Sequence, residues 1–432
     1  MYAVLGLILA WAAFRYGGVV VQDWKPCLLG ICAIAGVFWV VHRPLRLTVR
    51  PRAVPLLAAG FLGVAVFQLV PLPVEWLEAI SPRRAEIHRA VARVDARAKP
   101  VLSATPAATL EHMLTIAGLL LVFEMVREAG GGFGAAAPLI LIGTLEGVLG
   151  VVQWQTTGVV NGTYVNRNHY AGLLELCLPF ALMWGVAVVK RGGKRHESPV
   201  RPAVLACLSF GAACVMLLAV VLSLSRMGFL AVLAGLLAMG LALVAGVVSR
   251  RTRWGLGVGA LALAVCGFVF LPTDALIGRF AALAATGEIT ADTRAQIWAE
   301  SLAMVQDYPL LGCGLGSYES CFHKYKTVAP MQTVNFAHND YLQLLAETGV
   351  IGFSIFLLLG MLTFLSALRQ SIAARGGDNR YLAAACLGAL TSIGLHSFVD
   401  FNLYVAANTM VLAWIAGMVF AREEYPGAEG RG

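Results

Sequence analysis

Apolar runs of membrane-crossing length recur along the whole chain, separated by short polar connections. A helix rises 1.5 Å per residue, so about 20 apolar residues match the hydrocarbon thickness of a bilayer. The pattern predicts about twelve such spans. They are Ala3–Val21, Cys27–Val41, Val54–Val70, Thr109–Val126, Ala135–Trp154, Tyr170–Val189, Ala203–Leu222, Met227–Val248, Trp254–Leu271, Tyr341–Leu368, Tyr381–His396 and Leu403–Phe420. A membrane β-barrel would show short segments of strict alternation instead, and none is present. The expected class is an all-α polytopic membrane protein forming one integral membrane domain over residues 1–432.

Composition agrees with this class. Hydrophobic residues make up 59% of the chain and charged residues 13%, against about 25% charged in soluble domains. The first run, MYAVLGLILAWAAF, has no basic flank and no cleavage-site pattern, so it reads as a retained first span. Every second connection is basic: HRPLRLTVRPR, KRGGKRHESPVR, SRRTR and RQSIAARGGDNR. Short Lys- and Arg-rich connections stay cytoplasmic, which puts both termini in the cytoplasm. The net charge of +8 is mostly this topology signal, and its dispersal over several loops argues against nucleic acid as a partner.

The opposite face carries the long connections. In the first, Pro71 to Pro106, the positions of Ile87, Val91 and Val94 predict an amphipathic helix on the outer membrane surface. In the second, Pro272 to His338, Asp292 is placed to cap a helix running to Asp307. Ile297, Trp298, Ser301, Leu302 and Val305 form its apolar stripe. The glycines of LLGCGLGSYES permit tight turns, and without a preceding strand they make no dinucleotide site. Cys313 and Cys321 share this exported connection, where a disulfide is chemically permitted. The other cysteines fall in or beside spans as small packing residues.

Candidate chemistry gathers at this outer mouth. His338 opens the run AHNDYLQLLAETGVIGF, between a polar loop and a span. Ionisable groups at such an edge are functional candidates, although His338, Asn339 and Asp340 also fit a helix-capping cluster. Arg167, Arg226 and Arg294 lie on the same side, as does Asp400 in HSFVDFN. Arginines over a hydrophobic groove suit a ligand with a lipid tail and a phosphate head, while any one of them alone also reads as a snorkelling anchor.

Five stretches carry a family likeness: NRNHYAGLL, SLSRMGFLAVLAG, DTRAQIW with YPLLGCGLGSYE, AHNDYLQLLAETGVIG, and HSFVDFNLYVAAN. Together they resemble the O-antigen ligase and O-antigen polymerase superfamily of bacterial membrane glycosyltransferases. The likeness covers residues 161–421, including the loop 272–338. Residues 1–160 resemble the family only in hydropathy. The resemblance implies a GT-C-type architecture in the bacterial inner membrane, with the active site facing the periplasm. The implied donor is a glycan on undecaprenyl diphosphate. The implied acceptor is a sugar hydroxyl on lipid A-core or on another lipid-linked glycan. By the same resemblance His338 is the general base, and Arg226, Arg294 and Arg167 contact the diphosphate. Asn339, Glu347 and Asp400 support them, with no metal and no cofactor. HSFVDFN is the stretch that leans toward a polysaccharide polymerase.

Two other classes share the polytopic pattern. A lipid-linked oligosaccharide flippase or transporter would place charges near the bilayer midplane and pair interrupted helices. A non-enzymatic envelope-assembly scaffold would need neither His338 nor the arginines.

Overall fold

The computed structural model describes residues 1–42, 53–192, 200–245, 291–327, 333–373 and 377–421. The helices in chain order are α1 (Tyr2–Phe14), α2 (Val21–His42), α3 (Ala53–Leu69), α4 (Val74–Ile80), α5 (Pro82–Ala92), α6 (Pro106–Ala129), α7 (Gly132–Thr157) and α8 (Arg167–Gly192). They continue with α9 (Val200–Leu222), α10 (Arg226–Ala245), α11 (Ala291–Asp307), α12 (Tyr318–Phe322), α13 (Asp340–Ala373), α14 (Asp378–His396) and α15 (Ala406–Val419). Among the described residues no strand forms.

Among those residues seven helices, α2, α6 to α10 and α13, are long and apolar enough to cross a membrane; α1, α3 and α15 are shorter and apolar. Large apolar side chains such as Leu7, Leu29, Leu141 and Leu208 stand exposed on the outside of this bundle. Water would not tolerate so wide an apolar surface, and lipid requires it. The protein is a polytopic helical membrane protein.

Several sequence expectations shift in the structure. The first helix stops at Phe14 rather than Val21, because Tyr16, Gly17 and Gly18 take positive φ. The expected span Trp254–Leu271 lies outside the described residues, as do most of the basic connections. On α5 the buried face is Arg84, Ala85 and His88, while Val91 and Val94 are exposed. α11 begins at Ala291, one residue before the expected cap Asp292. Its buried stripe is Ile297, Ser301 and Met304, whereas Leu302 is exposed.

Helix α8 forms the centre of the bundle, buried without interruption from His169 to Ala181. It packs against α9, α14, α7 and α10. Small residues allow close approach. Gly235 on α10 lies against the Gly388 backbone, and the Ser392 hydroxyl of α14 donates to the Ala231 carbonyl at 2.9 Å. Over one end sits a layer made of α4, α5, α11, α12 and their loops, with its own apolar cluster around Ile297, Met304, Tyr318 and Phe322. Cys313 and Cys321 are buried in it as free thiols that face each other, beside Tyr308. Contact with the Cys313 thiol outweighs burial, with help from Tyr308 and Arg84, and draws the Cys321 thiol below its ordinary value. Burial pushes Cys313 the other way.

Helix α13 is broken at Gly349, where φ is 63° and ψ −175°, a conformation open essentially to glycine alone. The break would orphan backbone groups on both sides, and the segment 309–314 fills it. Cys313 and Gly314 N–H donate to the Ala346 and Glu347 carbonyls at 3.0 and 3.1 Å. Val350 and Ile351 N–H donate to the Pro309 and Leu310 carbonyls at 2.9 and 3.2 Å. A Cβ at Gly349 would overlap the Leu310 carbonyl, and one at Gly312 would overlap the Glu347 carbonyl. The outer layer is thus spliced into the helix that His338 precedes.

Candidate active site

His338 sits at the N-terminal approach to α13 with φ 51°, in the left-handed region that few non-glycine residues occupy. Its neighbours hold it there. Trp298 Nε1 of α11 donates to the Ala337 carbonyl at 2.9 Å, and the Ala337 N–H donates to Gln343 Oε1 at 2.9 Å. Asn339 is the N-cap of α13, its Oδ1 accepting the Leu342 N–H at 3.1 Å. The Asp340 N–H donates to the Ser397 and Asp400 carbonyls at 2.9 and 3.1 Å, tying α13 to the α14–α15 connection. The Asp340 carboxylate accepts the Leu403 N–H at 3.2 Å. The capping reading therefore holds for Asn339, whereas the Asp340 carboxylate holds the α14–α15 connection and the His338 ring is left for another task.

That ring faces Asp400. His338 Nδ1 lies 3.9 Å from Asp400 Oδ1, and His169 Nε2, at the start of α8, lies 3.3 Å from the same oxygen. Asp400 Oδ1 also accepts the Phe401 N–H at 2.9 Å. Both imidazoles stand edge-on to the Phe401 ring, at 4.3 Å for His169 and 5.0 Å for His338, and Phe336 stacks on its face at 4.0 Å. Burial alone would raise the Asp400 carboxyl, but His169, His396 and His338 around it outweigh burial and hold it ionised, below the ordinary carboxylate range. For His338 burial dominates. With the charge of Arg294 and the neighbouring His169 it outweighs Asp400, and the imidazole falls to about 4. His338 is therefore neutral at pH 7 and free to accept a proton.

The arginines divide. Arg294, on α11, is the one whose charge reaches His338, and its Nε is buried without a hydrogen-bond partner. Arg226 is the exposed first residue of α10, where the Ser225 hydroxyl accepts the Gly228 N–H at 3.2 Å and caps the helix. Gly228 lies against Ala171 of α8, which brings the starts of α8 and α10, with Arg167 and Arg226, to one end of the bundle.

Glu347, nine residues after His338, is fully buried and its oxygens are already engaged. They accept Tyr404 OH at 2.7 Å, Gly316 N–H at 2.9 Å, Tyr318 N–H at 3.3 Å and Gln343 Nε2 at 3.4 Å. Gln68 of α3 works beside it, donating to the Leu311 and Glu347 carbonyls at 2.7 and 2.8 Å and accepting the Leu315 N–H at 2.9 Å. Together these two side chains clamp the glycine loop onto the membrane helices.

Behind Asp400 lies a pair absent from the sequence-derived site. His396 Nδ1 meets the Glu175 carboxylate at 3.0 and 3.2 Å, and both side chains are fully buried. His169 and His396 were visible in NRNHY and HSFVDFN, but nothing in the local sequence shows that His169 meets Asp400 or that His396 meets Glu175. Among the described residues no three His, Cys, Asp or Glu side chains form a metal-holding group.

Residues 211–357, about a third of the chain, match the family model described as O-antigen ligase. This match supports the O-antigen ligase and polymerase superfamily. The matched segment contains Arg226, Arg294, His338 and Glu347, while Arg167, His169 and Asp400 enter the site from outside it. No curated protein matches the chain.

Proposed function

We propose that the protein is a membrane glycosyltransferase of the O-antigen ligase or polymerase type. It moves glycan from an undecaprenyl diphosphate donor onto a sugar hydroxyl at the periplasmic face of the inner membrane, within the GT-C-type frame of about twelve spans. The observation that carries this reading is the neutral His338 beside the ionised Asp400 and the Arg294 charge, at the mouth of an apolar bundle.

The chemistry follows from these groups. His338 Nδ1 faces Asp400, which leaves Nε2 for the acceptor. Nε2 takes the hydroxyl proton as that oxygen attacks the anomeric carbon, and Asp400 stabilises the imidazolium that forms. The bond from the anomeric carbon to the diphosphate oxygen breaks, and the lipid diphosphate leaves with the electron pair. A single displacement of this kind inverts the anomeric centre. Arg294, with Arg226 and Arg167 at the neighbouring helix starts, offsets the charge on the leaving diphosphate, so no metal is required for that step. The acceptor is lipid A-core or a second lipid-linked glycan.

A transporter reading would draw on the break in α13. That break is packed with the 309–314 backbone, which leaves no room there for a passing substrate. Purified protein in lipid vesicles, given undecaprenyl diphosphate-linked glycan and acceptor, should form a new glycosidic bond. Movement of glycan across the bilayer without bond formation would refute the reading. A deletion strain separates the two acceptors. A polymerase leaves single repeat units attached, and a ligase leaves polymer on the carrier lipid.

A further inference from the structure

Asp400 Oδ1 is approached by two ring nitrogens, His169 Nε2 at 3.3 Å and His338 Nδ1 at 3.9 Å. Both nitrogens are buried, and neither has an aligned hydrogen bond. One oxygen that also accepts the Phe401 N–H at 2.9 Å cannot satisfy both imidazoles at once. Leaving a buried donor unmade is costly, so such an arrangement persists only where the surroundings enforce it.

The surroundings do enforce it. Both rings meet Phe401 edge-on at an interplanar angle of 79°, at 4.3 Å for His169 and 5.0 Å for His338. His169 is fixed from behind as well. Its carbonyl accepts Asn408 Nδ2 at 3.0 Å, and Asn408 Oδ1 accepts Tyr164 OH at 3.1 Å. The His169 side chain is 4% exposed against 14% for His338. His169 therefore has no route to a substrate and acts only through Asp400.

We propose that His169 is a positioning residue for the transfer reaction, holding the Asp400 carboxylate between two imidazoles in the resting protein and yielding it to His338 as that ring takes up a proton. This rests on the reading of His338 as the base. While His338 is neutral, Asp400 gains more from the nearer His169 nitrogen. Once His338 becomes an imidazolium, a full charge pair outcompetes that contact. Asp400 thereby strengthens its hold on His338 in the transition state more than in the ground state, which is the condition for raising kcat. The charged or titratable groups facing this pair are Arg294 from α11, His396 from α14, Glu175 from α8 and Asp340 from α13.

The test uses full-length purified protein in transfer assays across the acid range, with His169→Phe, His169→Gln and His338→Ala. His169→Phe keeps the edge contact with Phe401 and removes both nitrogens. It should lower kcat about tenfold, the scale of one coupled charge contact, and leave donor KM within about twofold. With its competitor gone, Asp400 engages His338 fully, so the acid limb of the rate should move up by about one pH unit. His169→Gln restores an N–H near Nε2 and should recover most of the rate. A role in packing alone would reduce the amount of active protein without moving the acid limb. An unshifted acid limb in His169→Phe overturns the proposal. Should that variant not fold, His169→Leu, which also removes both nitrogens, is combined with Asp400→Asn: the proposal requires the Leu change to have no further effect once Asp400 is neutral, and additive losses overturn it. Transfer surviving in His338→Ala removes the base reading and the proposal together, whereas a dead His338→Ala with an unshifted His169→Phe removes only the proposal.

Discussion

Removing the Glu347 carboxylate should unseat the glycine loop before it affects any chemistry. Glu347 is fully buried on α13 and accepts from four donors, of which Tyr404 OH at 2.7 Å and Gly316 N–H at 2.9 Å are the short ones. In Glu347→Ala all four donors are left in a dry site. An orphaned buried donor costs about 1–3 kcal/mol, so the two short contacts alone amount to about 2–6 kcal/mol. That is a large share of the ~5–15 kcal/mol that separates typical folded and unfolded states. Glu347→Gln keeps the volume, but its amide turns an NH₂ toward one pair of donors whichever way it is oriented, so it should lose about half as much. The assay is the folded fraction in detergent after stepwise heating, paired with amide exchange at Gly316 and Tyr318. The Ala variant should fail at the lowest temperature with the Gln variant between, and exchange should rise at those two amides while α10 and α14 stay protected. Unchanged protection at Gly316 and Tyr318 in Glu347→Ala would refute the clamp. So would a Gln variant that folds like the wild type and yet transfers nothing, because the carboxylate would then be part of the chemistry.

Gly349→Ala should fold poorly for a related reason: its positive φ costs about 1–3 kcal/mol for any other residue, and the new Cβ overlaps the Leu310 carbonyl, which thermal stability in detergent will register. The rate of transfer should hold from neutral pH down to about 5 and fall with a midpoint near 4 in kcat/KM, because His338 is depressed and stays a neutral base above that point. Arg294 is one cause of that depression, so Arg294→Gln should raise the midpoint and weaken donor binding; a midpoint that falls would contradict the assigned electrostatics. Cys313 and Cys321 should bridge in exported protein, closing a short loop worth about 2–3 kcal/mol, and full thiol labelling of the unreduced, denatured protein would exclude the bridge.

The sequence made the membrane helices legible because burial in lipid imposes one simple rule, an apolar run of fixed length. It did not reveal the early end of α1 at Phe14, since Arg15 and the two glycines after Tyr16 sit inside an otherwise apolar stretch. His338, Asp400 and Arg294 stood out as candidates because ionisable residues beside apolar runs are rare. Glu347 stood out for the same reason, and its carboxylate accepts from the loop 316–318, from Gln343 and from Tyr404, which no local spacing announces. His169 stayed hidden because its partner lies 231 positions away on another helix connection, and no local spacing encodes that meeting. The filled break at Gly349 was equally illegible: the glycine is visible in AETGVIG, but the segment 309–314 that it admits belongs to a different part of the chain.

His338 is proposed to remove the acceptor proton while the arginines hold the donor diphosphate. The most direct measurement is transfer by purified His338→Ala in vesicles, with donor binding measured on the same preparation. Loss of a general base lowers the rate by about 10²–10⁴-fold, and undecaprenyl diphosphate donor should still bind as to the wild type. Arg226→Lys, which keeps the charge and loses the planar fork, should show the opposite defect, in donor binding. Near-wild-type transfer by His338→Ala would contradict the account at its centre.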